Sequence, residues 1–424
     1  MIKEAFLHFL WQHKLFDFLS LKGTNNEDIV LIDVGKLNTN SGPDFFNAQL
    51  KIGTQIWAGN VEIHIKSSDW YVHHHEKDAA YDNVILHVVW EDDMPVYRAD
   101  NSKIVTVVLK NYIKDTIWKN YSKLFSKQLK WINCEKDIYT IKKFQLDNWL
   151  ERLYIERLNE KATQITTLLS QSKNDWEAVL FKMLAKNFGL KVNGNSFMNM
   201  ANSLDFSLVR KNRDTTKKIE ALLFGQAGML NTAIEEGYYQ DLQKEYDFLK
   251  VKYRIKPIHE SEVKFFRLRP NNFPTIRISQ LANLYNTHQN LFSKIINIDT
   301  IEAYYDLFKV TTSVYWETHY SFTSTSVKRK KQLTKGFIDL LLINTIIPLK
   351  FIYQKHIGKL DEELILQLIQ QIKPEKNNII EKFKLLKINT TNAFETQALL
   401  QLKNNYCAKQ KCLQCAIGNY LLKS

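Results

Sequence analysis

The chain has no uninterrupted apolar run of about 18 residues, the minimum for a helix that crosses a membrane. Its opening, MIKEAFLHFLWQHKLFDFLSL, is broken by Glu4, His8, His13 and Asp17 where a secretory signal needs a clean apolar core. No internal repeat and no low-complexity tract occurs, which sets aside repeat architectures and segments of biased composition. Cysteine is scarce: four in 424 residues cannot form the disulfide framework of a small secreted domain, and a chain of this length does not need one. Together these absences lead us to expect a cytoplasmic protein without a membrane segment.

What remains is ordinary globular material, 45% hydrophobic, enough to bury a full core divided among two or three domains. The formal net charge of +13 suits a polyanionic partner, because clustered Lys and Arg release counterions when they neutralise phosphates. Much of the excess is lysine in a sequence also heavy in Asn and Ile, a mixture that genome base composition alone produces. Nucleic acid is the partner this charge points to, and the oligomeric state is left open.

The pattern changes along the chain. An amphipathic helix near residues 3–18 leads into EDIVLIDV, read as a strand, and then into the polar turn KLNTNSGPD. FFNAQLKIG and QIWAGNVEIHIK follow as a hairpin turning at Gly53-Thr54. HHHEKDAAYDN suggests a short helix, NVILHVVWED a buried strand, and PVYRADNSKIVTVVL a closing strand pair, giving the order α-β-β-β-α-β. From about residue 137 the spacing is helical, interrupted by the proline-bearing segments at 267–282 and 341–353.

The second strand of the hairpin carries the chemistry. Side chains on a strand alternate faces, so Glu62, His64 and Lys66 share one face while Val61, Ile63 and Ile65 pack on the other. Asp44, following Pro43 at the head of the preceding strand, is placed to approach Glu62, although the pattern leaves the register unfixed. Two carboxylates at close range tolerate each other when a divalent cation lies between them, and oxygen ligands suit Mg²⁺ or Mn²⁺. Such an ion polarises a phosphoryl oxygen and acidifies bound water, while a neighbouring cation steadies developing charge.

Pro43-Asp44 and Glu62-Ile63-His64, in this order of elements, resemble the PD-(D/E)xK nuclease superfamily, whose signature pairs Pro-Asp on one strand with acid-x-Lys on the next. The resemblance implies a metal-dependent nuclease, endo- or exonucleolytic, cutting DNA with Asp44 and Glu62 on the metal. His64 stands in the lysine position, so His64 would manage water, or Lys66 would supply the missing cation. Glu4 is a weaker candidate for the helix acid that such nucleases often add.

Other residues bear on the same question. His73, His74 and His75 are expected to be solvated imidazoles in a polar linker. His73 and His75 have an alternative role beside the acidic pair, or with His64 and His87 as zinc ligands of an unrelated hydrolase. His87, inside an apolar strand, is expected to be a core histidine with a hydrogen-bond partner. Cys407, Cys412 and Cys415 form C-x4-C-x2-C, and Cys134 completes a possible set of four soft ligands for Zn²⁺ or an iron–sulfur cluster. One early and three late cysteines resemble the cluster ligands of some nucleases of that fold. NNYCAKQKCLQCAIGNYLL also reads as an amphipathic helix that merely contains cysteine. Arg267, Arg269 and Arg277, around two prolines, suit a rigid loop holding a nucleic-acid backbone, or a structural tie between helices. KATQ, KNRDTTKK and VKRKKQ read as solvated basic faces.

Over nearly its whole length, through NSGPDFFNA, WAGNVEIH, SSDW, YDNVILHVV, ALLFGQAG, RPNNFPTIRISQLA, INTIIPL and CLQCAIG, the chain resembles DUF2851, a Bacteroidetes family without an assigned function. That resemblance implies a bacterial cytoplasmic setting and carries no catalytic residue. The expectation is an α+β, restriction-endonuclease-like domain over residues 1–130 and a helical domain over 131–424 that ends in the cysteine segment. A noncatalytic nucleic-acid-binding or scaffold protein on the same fold is the alternative from a different class.

Overall fold

The period-two segments become strands at the places where the alternation is written. The computed structural model describes residues 2–126 and 130–424. Helix α1 (Glu4–Gln12) buries Phe6, Leu7, Phe9, Leu10 and Trp11, and the Trp11 Nε1–H donates to the Val34 carbonyl at 3.0 Å. It stops well short of residue 18 because Lys14 takes a left-handed conformation, φ 50°. The sheet contains β1 (Ile29–Asp33), β2 (Lys36–Leu37), β3 (Phe45–Ile52), β4 (Gln55–Lys66), β5 (Val84–Glu91) and β6 (Thr106–Val108), ordered β1-β3-β4-β5-β6 with β2 also on β3. β1, β3 and β4 pair antiparallel, whereas β4, β5 and β6 run parallel. Between β4 and β5 lie α2 (Asp69–Val72) and two 3₁₀ turns, His75–Lys77 and Ala79–Tyr81. The closing strand pair reduces to β6 and a lone bridge between Tyr97 and Lys103.

One irregularity decides which side chains meet. The hairpin begins with Ile52 opposite Gln55 and keeps that register to Ala48 opposite Gly59, but Phe45 then lies opposite Val61. β3 therefore carries one residue more than β4 over this stretch, a bulge marked by Asn47 at φ 56°. Since one step of register exchanges the two faces, the bulge brings Asp44 across from Glu62 rather than from Ile63. A second bulge lies between β4 and β5, where Asn60 pairs with Val84 but Val61 with Leu86, so the extra residue, Ile85, is on β5 beside Gly59. A Cβ on Gly59 would lie 2.5 Å from Ile85 Cγ2 and 2.6 Å from the Asn83 carbonyl oxygen.

The chain divides into two units, Met1–Trp149 with Lys403–Ser424, and Leu150–Leu402. The expected single boundary at residue 130 is thus replaced by two, because the C-terminal segment returns to the first unit. There Lys403 Nζ donates to the Trp131 carbonyl at 2.7 Å, and Asn120 Nδ2 donates to the Ser424 carbonyl at 2.8 Å.

The second unit is helical apart from the short pair His319–Ser321 and Ser324–Thr325. Its run Lys335–His356 is long and apolar enough to cross a membrane by length and composition alone, yet 72% of its apolar 18-residue window is buried within the structure. The π turn Leu342–Ile346 precedes Pro348, which has no N–H to continue an α-helical ladder. Two lysines of the supposedly solvated basic faces are corrected here. Lys161 Nζ donates to the Ile343 carbonyl and to Asn344 Oδ1, and Lys331 Nζ donates to the Trp316, Glu317 and His319 carbonyls.

The close approach at Gly59 yields a stability test. Gly59→Ala is expected to cost about 1–3 kcal/mol through overpacking, read as a lowered denaturant midpoint. Gly237→Ala, whose Cβ meets nothing within 4 Å, should leave the midpoint unchanged within error.

Candidate metal centre

Asp44 and Glu62 hold each other through the backbone. The Asp44 N–H donates to Glu62 Oε2 at 3.0 Å, and the Ile63 N–H donates to Asp44 Oδ2 at 3.0 Å. The carboxyls face the same region, as the bulged register requires. From α1, His8 Nε2 stands 3.1 Å from Asp44 Oδ2 and 3.6 Å from Glu4 Oε1 one helical turn earlier. Glu4, His8 and Asp44 thereby bring three donor atoms within 4.8 Å of one another.

The other oxygen of Glu62 faces imidazoles. His75 Nε2 is 3.3 Å and His64 Nε2 is 3.5 Å from Glu62 Oε1, and His73 Nδ1 is 3.1 Å from His64 Nε2. The expectation of solvated linker imidazoles fails for His75, which is 9% exposed, while His73 is exposed on one side and points at His64 on the other. Local structure explains this placement. Ser67 and Ser68 are fastened to Asp93 by hydrogen bonds of 2.8–2.9 Å, and Trp70 is buried with its Nε1–H on the Tyr97 carbonyl at 3.1 Å. His74 then adopts a left-handed conformation, φ 60°, turning His75 back under the sheet, where it stacks on Tyr81 at 3.7 Å. His74 itself stays exposed.

These distances fit a metal ion. Ligands on one tetrahedral ion with bonds of about 2.0–2.1 Å lie about 3.3–3.4 Å apart; the His64–His73, His64–Glu62 and His75–Glu62 spacings are 3.1, 3.5 and 3.3 Å, and the donor atoms of His64, His73 and His75 lie within 4.8 Å of one another. His75 Nε2 is buried and has no hydrogen-bond partner among the described residues, although a buried ring nitrogen normally finds one. His87, buried as expected, places Nε2 2.8 Å from His64 Nδ1. If that bond is donated by His64, the His64 proton is fixed on Nδ1 and its Nε2 lone pair is aimed at the other donors.

Electrostatics prepares the same set. Burial, then the Asp44 charge, pushes the Glu62 carboxyl up to about 9. Burial, then the neighbouring imidazoles, pulls His64 down to about 2, and burial does the same to His87, to about 3. Burial also lowers His75. These rings are neutral near pH 7, the form that binds metals. Burial alone would lower His8 as well, but the neighbouring carboxyls of Asp44, 3.1 Å away, and Glu4 outweigh it and raise its pKa.

Several expectations change. His64 cannot stand in for a lysine cation, because its burial keeps it neutral. Lys66 is exposed at the end of β4 and, among the described ion pairs, forms none with Asp44 or Glu62. Arg277 is 7% exposed, donates to Asn272 Oδ1 and Gln280 Oε1 at 2.6 and 2.9 Å, and lies 3.6 Å from the Phe337 ring centre, so it is a structural tie. Arg267 and Arg269 remain exposed. His8 was missed as a site residue; its i, i+4 spacing from Glu4 was the available signal. Cys134, Cys407, Cys412 and Cys415 lie within the first unit, apart from this cluster in sequence and ligand type.

A family model described as "Protein of unknown function (DUF2851)" matches residues 4–378, a span that includes every member of the acid–imidazole cluster. Comparison with curated proteins and with solved structures returns no match.

The His64–His87 bond can be tested by itself. His87→Leu removes the partner that orients His64, and Zn²⁺ or Mn²⁺ affinity measured by calorimetry should fall about 10–100-fold. An unchanged affinity would show that His64 needs no such partner.

Proposed function

We propose that this chain, which belongs to the DUF2851 family, is a metal-dependent hydrolase of phosphodiester bonds, with DNA as its substrate. The observation that carries this reading is the convergence of His64, His73 and His75, whose donor atoms lie within 4.8 Å of one another, with Glu62 Oε1 3.5 Å from His64 and 3.3 Å from His75 and an acid–imidazole group of Glu4, His8 and Asp44 beside the second oxygen of Glu62. Three imidazoles favour Zn²⁺, with Mn²⁺ also suited to the mixed set, over the Mg²⁺ expected from Asp44 and Glu62 alone. The choice of a polyanionic substrate rests on the +13 charge and on the pairing of acids across β3 and β4.

Each residue then has a task. His64, His73, His75 and Glu62 hold the ion, which when bound polarises a phosphoryl oxygen and acidifies water. Asp44, fixed by the Ile63 N–H, holds His8 by ion pairing. The acids around His8 favour its protonated form, the form that would give a proton to the departing oxygen of the substrate. The exposed side of His73 leaves an approach from solvent.

The assay is purified protein with Zn²⁺, Mn²⁺ or Mg²⁺ against plasmid, linear and single-stranded DNA. Cleavage should need the ion and should be lost in Glu62→Gln and His64→Ala. His8→Gln should lower kcat about 100-fold or more and leave metal affinity in place. Cleavage that survives Glu62→Gln and His64→Ala together would overturn the assignment.

A pH dependence follows from Glu62. Its folded pKa is raised to about 9, so at pH 7 it carries a proton that an incoming cation must displace. Affinity should therefore rise with pH up to about 9, and calorimetry in buffers of different ionisation enthalpy should show about one proton released per ion at pH 7. Glu62→Gln should release none from this position.

A further inference from the structure

The helical unit contains a cavity of about 470 Å³, a size within the range of small-molecule sites. Its lining residues fall between Lys161 and Asn344, inside Leu150–Leu402. One end is polar. Lys161, on the helix Lys143–Gln171, donates to the Ile343 carbonyl at 3.0 Å and to Asn344 Oδ1 at 3.2 Å. Asn187, near the end of the helix Trp176–Phe188, donates to Thr345 Oγ1 at 2.7 Å. Ile343, Asn344 and Thr345 are consecutive residues of the π turn Leu342–Ile346, so the turn draws an ammonium and an amide to the same end of the cavity. Such turns inside helices recur at functional sites. Lys186, next to Asn187, adds a second cation at the exposed rim.

The other end is apolar. Ile165 and Leu168 follow Lys161 by one and two helical turns, Met183 precedes Asn187 by one, and Met198 comes from the helix Leu190–Asn202. Lys161 and Leu168 are seven residues apart, about 10 Å along the helix axis and so the length of a saturated chain of about eight carbons. Gln164 and Thr167, on the same stretch, are exposed and leave the cavity open to solvent.

Charge selects the head group of the ligand. Two lysines line the cavity, and none of its described lining residues is acidic. An ammonium has three N–H groups. Lys161 gives two of them to the π turn, and the third serves one more acceptor. A carboxylate, with a single negative charge, suits that N–H and the rim lysine, whereas a phosphate dianion needs more donors. Burial, then the Arg157 charge, pulls Lys161 down to about 7 against the opposing charge of Glu375, so a bound anion would favour its protonated form. We infer that this cavity binds a small amphipathic carboxylate, with its head at Lys161 and Lys186 and its chain along Ile165, Leu168, Met183 and Met198. Such a site needs neither the metal ion nor the phosphodiester reaction.

The test is calorimetry of the full chain with octanoate, beside octanol and octylamine as neutral and cationic heads on the same chain. Octanoate should bind saturably, one per protein chain, and the other two about 10-fold more weakly or worse. Lys161→Met should lower octanoate affinity about 10-fold or more. Met198→Glu should abolish binding by placing an acid among the apolar side chains. Lys186→Ala, at an exposed position, should weaken octanoate by about 2- to 5-fold, and the comparison of the three head groups on the unaltered protein decides the matter even if a variant does not fold. No saturable octanoate binding at millimolar concentration, octylamine binding as tightly as octanoate, or a folded Lys161→Met with unchanged affinity would overturn the inference.

Discussion

A carboxyl group buried among imidazoles is the constraint on which the rest of the site depends. Glu62 is 5% exposed, and an ionised carboxylate in such surroundings costs several kcal/mol unless charge or hydrogen bonds compensate it. The Asp44 N–H serves Oε2, but Oε1 faces His64 and His75, both of which burial keeps neutral. Without a cation the group is therefore stable as the acid. In the proposed site, a divalent ion at Oε1 would reverse that preference and would also provide for the unpartnered His75 Nε2.

The scaffold around it is organised to keep that geometry. The β3 bulge selects the face on which Asp44 appears, the reciprocal bonds between Asp44 and β4 hold both acids, and α1 presents Glu4 and His8 one turn apart on the stripe that continues to the buried Trp11. His73 and His75 are held less directly, through Ser67, Ser68, Asp93 and Trp70. A change at Asp93 would thus reach the cluster through the path of the backbone, without touching a ligand.

The strands were legible because a period of two leaves a direct mark on sequence: β3 and β4 fall where the alternation placed them, and Glu62 and His64 share a face as read. The bulge left no comparable mark, so the approach of Asp44 could be proposed without its register. His73 and His75 were harder still, since their convergence depends on contacts with Asp93 and Tyr97 and on a left-handed His74, none of which appears as a spacing motif. Arg277 looked like a phosphate contact beside two prolines, but the ring that covers it, Phe337, comes from a distant helix. C-x4-C-x2-C was plain in the sequence, whereas the nearness of Cys134 depends on a tertiary return of the chain end.

The central claim is that three imidazoles and one carboxylate form a ready seat for one cation. X-ray absorption of the protein loaded with one equivalent of Zn²⁺ tests it most directly, because imidazole rings scatter in a pattern that oxygen ligands lack. The account predicts a shell of three imidazole nitrogens, from His64, His73 and His75, with one carboxylate oxygen and one further oxygen from water, the position that a catalytic ion keeps open. A shell made only of oxygen, or one that keeps its imidazole count in the His64→Ala, His73→Ala, His75→Ala triple variant, would contradict it.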